Sequence, residues 1–104
     1  MSRVLLIAAL ASVSTLTFAA GGEETCKKIS AVAGEAMEAR QRGDLLEDAM
    51  SSVGDKSRFS DAMVIKAYNA PVVVSSEGKR KVVFDFRNTA YSDCYWNIIE
   101  PTKQ

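Results

Sequence analysis

Cys26 and Cys94 are the two cysteines of a 104-residue chain that contains no histidine. Thiol and hydroxyl chemistry has few outlets in such a chain. Without His, neither a Ser-His-acid triad nor a Cys-His pair can form. Two thiolates fall short of the four ligands of a structural zinc site. A Ser-Lys pair is available only among Ser75, Ser76, Lys79 and Lys81, in a polar stretch that solvation explains. Three carboxylate pairs have the residue type needed for glycosidase-like acid–base work: Glu35 with Glu38, Glu47 with Asp48, and Asp85 with Asp93. The first four side chains belong to polar helix faces. Asp85 and Asp93 have basic neighbours to pair with. No catalytic residue, metal or cofactor is therefore expected, and an enzyme acting on the cell wall is the weaker rival reading.

The cysteines make better sense as a staple. The chain opens with Arg3, an apolar run from Val4 to Leu16, and small residues at Thr17 and Ala19. This is the pattern of a secretory signal peptide over residues 1–19, cleaved after Ala19. The apolar run is short for a membrane-spanning helix, which needs about 20 apolar residues. Glu24-Thr25 before Cys26 does not fit a lipid-attachment site. An exported chain with two cysteines reads as one disulfide, Cys26–Cys94, the alternative being two buried free thiols. The expected location is periplasmic or secreted. Removing residues 1–19 takes away Arg3 alone among the charges. The acidic residues are then ahead by one, which offers nothing to nucleic acid or an anionic membrane.

Residues 20–104 form one small domain. The first helix should start near Glu24 and run to Gly43. Cys26, Ile29, Ala33, Ala36 or Met37, and Arg40 lie on its apolar stripe; Lys27, Lys28, Glu35, Glu38 and Gln41 face outward. Asp44 and Glu47 have the spacing of a capping box. They open a second helix with Leu45, Leu46, Ala49, Met50 and Val53 inward, ended by Gly54. Ser57 is the N-cap of a third helix reaching about Asn69. Apolar residues surround most of that helix, which predicts the most buried element. Pro71 ends it.

Residues 72–86 permit two readings. Val72-Val73-Val74 and the alternation of Val82, Phe84 and Phe86 suit a β-hairpin. The other reading caps a helix at Ser75 or Ser76 and runs it over 77–95. That register aligns Val83, Phe86, Ala90 and Cys94 on one stripe and Phe84, Asn88, Tyr91 and Tyr95 on a second. Its continuity through Cys94 favours the helix. Trp96–Gln104 should be irregular. The expected fold is all-α, a small four-helix bundle stapled by one disulfide; an α+β fold with a hairpin at about 72–86 is the alternative.

Cys26, Ala39-Arg40-Gln41-Arg42-Gly43, Ala67-Tyr68 with Pro71, and Asp85-Phe86-Arg87-Asn88 with Tyr91 and Cys94 together resemble a set of small secreted two-cysteine proteins. These belong to Gram-negative bacteria and their phages. The likeness spans nearly all of residues 26–95. It implies a helical fold with the cysteines paired and carries no chemistry.

Binding is then the function class to weigh. Phe84, Asn88, Tyr91 and Tyr95, with Trp96, are the partner-binding candidates, because Tyr and Trp dominate interface energetics; a second wall of the core is the plainer alternative. Met37, Met50 and Met63 suit packing better than an adaptable groove. Lys79-Arg80-Lys81, between Glu77 and Asp85, needs no partner. Arg40 ends an apolar stripe, so a structural ion pair with Asp85 is expected if the first and last helices are antiparallel. The favoured function is a non-enzymatic periplasmic module that binds another envelope protein, not inserted in the membrane once its leader is cut. One alternative is a phage-encoded envelope protein, such as a superinfection-exclusion lysozyme inhibitor or a lysis regulator. Another is a membrane-tethered regulator that keeps its apolar run. The sequence leaves the oligomeric state open.

Overall fold

A computed structural model describes residues 10–103, with side chains from residue 21 onward. The described chain is all-helical, with four α-helices: α1 (Leu10–Arg42), α2 (Leu46–Ser52), α3 (Arg58–Tyr68) and α4 (Ser76–Cys94). A π-helical turn (Tyr95–Ile99) and a 3-10 turn (Glu100–Lys103) follow directly. The expected leader lies partly outside the described residues.

α1 is the axis of the molecule. It buries Cys26, Ser30, Ala33, Ala36, Met37, Ala39 and Gln41, a stripe that keeps to spacings of three and four. α4 runs antiparallel along it. Cys26 is bonded to Cys94, Ser30 meets Arg87, and Gln41 meets Lys79. Gly34 makes this approach possible: a Cβ there would stand 2.7 Å from Cδ of Arg87. α3 lies on α1 beside α4, through Val64 and Ala67. The short α2 joins α1 to α3. One core cluster includes Ala36, Met37, Val53, Val64 and Val83; a second gathers Cys26, Cys94 and Ile99. Met50 and Met63 pack against the first cluster. No helix among the described residues is long and apolar enough to cross a membrane.

Several expectations give way. α1 begins at Leu10 rather than near Glu24. Gly21-Gly22 weakens a helix by about 1 kcal/mol per residue but does not forbid one. The capping box does not form. Gly43, at φ 85°, lets α1 close with bonds from Gly43 N to the Arg40 carbonyl and from Asp44 N to the Ala39 carbonyl. These are the two bonds of a Schellman motif, so Asp44 finishes α1. Leu45 becomes the N-cap of α2 and makes no side-chain cap bond. Leu45 and Leu46 consequently point to solvent.

α3 is not the most buried helix. Phe59 and Ile65 are exposed, and only Ser60, Val64 and Ala67 are buried, because α3 packs mainly on α1. Among the described residues there is no strand. Ser75 instead caps α4, its hydroxyl accepting from Gly78 N at 2.9 Å. The segment after Cys94 is helical, since burying Ile99 on the disulfide requires a compact turn. Pro101 stands in the first turn of the 3-10 segment, a position that tolerates proline.

Candidate functional site

The carboxylate pairs with the residue type for acid–base work lie at the surface. Glu35, Glu38, Glu47, Asp48, Asp85 and Asp93 are all exposed. Asp85 pairs with Lys81 on its own helix at 2.8 Å. Among the described residues no three Cys, Asp or Glu side chains gather as metal ligands.

Arg40 does not reach Asp85. Its Nε donates to the Ala70 carbonyl at 2.9 Å, and its guanidinium lies 5.3 Å from the centroid of the Tyr68 ring. α4 does lie antiparallel to α1, the condition on which that pair rested. The loop between α3 and α4, however, folds over the end of α1 and intercepts the guanidinium first. The Tyr68 hydroxyl donates to the Asp44 carbonyl at 2.8 Å. Burial, then the nearby Asp44, pushes that phenol up.

Gln41 was expected on the solvent face and is 4% exposed. Its Nε2 donates to the Pro71 carbonyl at 3.0 Å, and its Oε1 accepts from Val73 N at 2.9 Å. Lys79 Nζ donates to its backbone carbonyl at 2.7 Å, a cation closing a helix C-terminus. Gln41 thus gives Val73 the backbone partner that a hairpin strand would have supplied. Only its spacing of four from Met37 signalled this in the sequence.

The aromatic candidates separate by depth. Phe84 is 56% and Trp96 63% exposed, and Asn88 is exposed between them. Tyr91 and Tyr95 are half-buried against the Cys26–Cys94–Ile99 cluster. The Tyr95 and Trp96 rings meet edge-on, with centroids 5.2 Å apart. Lys103 Nζ lies 5.0 Å from the Tyr95 centroid and 3.2 Å from its hydroxyl. That hydroxyl holds the Lys103 ammonium above its usual range. The stripe therefore has one end anchored on the disulfide, through Tyr91 and Tyr95 with Trp96 exposed beside them, and an exposed Phe84 at the other. At its Phe84 end, α1 and α4 enclose an open groove of about 690 Å³. Its floor includes Val83, and Arg42, Lys79 and Arg80 stand over it.

Sequence reasoning missed a second concavity. Between α3 and α4 lies a groove of about 350 Å³ whose lining includes Ile29, Phe59, Met63 and Phe86. A helix-by-helix search for stripes cannot find such a site, because each helix contributes only the flank of its buried face. Comparison with models of known protein families, with curated proteins and with solved structures found no match to this chain.

Proposed function

We propose that this chain is an exported, non-enzymatic module that binds another protein of the periplasm through the aromatic stripe of α4. One observation carries the reading: Phe84 stands exposed at one end of a stripe whose other end is pinned on a disulfide, with Trp96 exposed beside it. Rigid aromatic side chains bury large area at little entropic cost, which is why they anchor interfaces. The leader-like N-terminus, the paired cysteines and the resemblance to small secreted two-cysteine proteins support the compartment. In this reading the four helices act as one small bundle, and its frame is the α1–α4 pair.

The test is capture from a periplasmic extract with the tagged protein, read by mass spectrometry. Wild type should retain a defined partner that a Phe84→Ala, Trp96→Ala double variant loses. An Ile65→Ala control on the outer face of α3 should keep it. Retention by the double variant would rule this surface out. N-terminal sequencing of the protein recovered from cells should begin at Ala20; a start at Met1 would support the tethered form instead.

A further inference from the structure

α4 has two working flanks. One carries Phe84, Asn88, Tyr91 and Tyr95. The other, with Phe86 and Asp93, borders the groove shared with α3. Ile29 of α1 floors this groove, Phe59 and Met63 line its α3 side, and Phe59 is 42% exposed. An apolar concavity between two helices that both rest on a third is the shape left by a missing packing partner.

We propose that this groove is the face through which two copies of the chain associate. The charges at its rim select that occupant. Lys66 stands on the α3 side and Asp93 on the α4 side. Both are exposed, and among the described residues neither forms an ion pair within the chain. A two-fold axis perpendicular to the line joining them sets each copy's Lys66 over the other's Asp93. Two intermolecular pairs then form at once, the self-complementarity that an isologous contact requires. Without residues 1–19 the acidic residues are ahead by one, a net charge too small for the copies to repel strongly at long range. A foreign helix would have to bring one charge of each sign to the right places; a second copy brings both. The stripe proposed to meet a partner lies on the other flank of α4, so a dimer presents it twice and gains avidity. Self-association stands whether or not that partner reading holds.

The test uses charge reversal at these exposed positions and sedimentation analysis of the disulfide-bonded protein over a wide concentration range. Wild type should show a concentration-dependent dimer. Lys66→Glu alone, and Asp93→Lys alone, set two like-charge pairs in their homodimers and should weaken association by about tenfold or more. An equimolar mixture of the two variants places Glu opposite Lys and Asp opposite Lys. It should associate near wild-type strength, as a heterodimer, and circular dichroism should show both variants folded. A wild type that stays monomeric throughout would overturn the proposal. So would reversal variants that associate as tightly as wild type, or a mixture no tighter than its components.

Discussion

Asp55 shows how much one exposed side chain can organise. It follows Gly54 at the end of α2, and its Oδ1 accepts from Ser57 N at 3.0 Å and from the Ser60 hydroxyl at 2.9 Å. Ser57 in turn caps α3 by accepting from Ser60 N at 3.2 Å. Hydrogen bonds from Ser57, then from Ser60, hold the Asp55 carboxyl down at about 2, against its ordinary 3.8. The folded state therefore binds this proton more weakly than the unfolded chain does. The stabilisation is complete above pH 3.8 and is lost as pH falls toward 2. Thermal unfolding of wild type and Asp55→Asn, followed from pH 5 to pH 2, is expected to show the steeper acid loss in wild type. Parallel curves would mean that Asp55 titrates alike in both states. The sequence marks Ser57 as a cap but carries no sign of the role of Asp55. Its role depends on the tight turn through Lys56, at φ 62°, which no propensity scale assigns to a lysine.

At the scale of elements, helix identity was legible and helix placement was less so. Stripe continuity through Cys94 separated helix from hairpin over α4, because a period near 3.6 held for about three turns, from Val83 to Cys94, while the alternation of Val82, Phe84 and Phe86 covered five residues. The boundaries went wrong where two rules competed for one residue: Asp44 suits both a C-terminal closure and an N-cap, and the closure won. Which polar residues turn inward was hidden for a related reason. Gln41 and Arg40 are buried or half-buried only because the loop after α3 returns to the end of α1. Gln41→Ala should then cost about 2 kcal/mol, since two hydrogen bonds go and Val73 N–H loses its partner. Denaturant unfolding should show a lower midpoint at unchanged slope. Hydrogen exchange should show the Val73 amide losing more protection than the amides of α4. A loss spread evenly over the chain would mean that the loop is held by other contacts.

For the whole molecule the disulfide decides whether so little core suffices. The fully buried hydrophobic side chains are small, mostly alanine, with Val64 and Cys26 among the largest. A domain of this size buries only about 60% of the surface its unfolded chain exposes. Cys26 and Cys94 are 68 residues apart, and closing a loop that long in the unfolded chain is worth about 4 kcal/mol. That is comparable to the whole margin of a small domain, typically about 5 kcal/mol at the low end. The bond also fixes where stability is lost first. Ile99, Tyr91 and Tyr95 pack on the two cysteines, whereas Ala36, Met37 and Val64 belong to the other cluster. A Cys26→Ser, Cys94→Ser protein is therefore expected to lose about 4 kcal/mol in denaturant titration. Below its midpoint, exchange protection should disappear first over Tyr95–Lys103 and the adjoining end of α4. Tryptophan fluorescence, which reports Trp96 alone, should change at lower denaturant than helical circular dichroism in the variant and together with it in wild type. Coincident transitions in both proteins would show that the two clusters unfold as one and that the staple acts on the chain evenly.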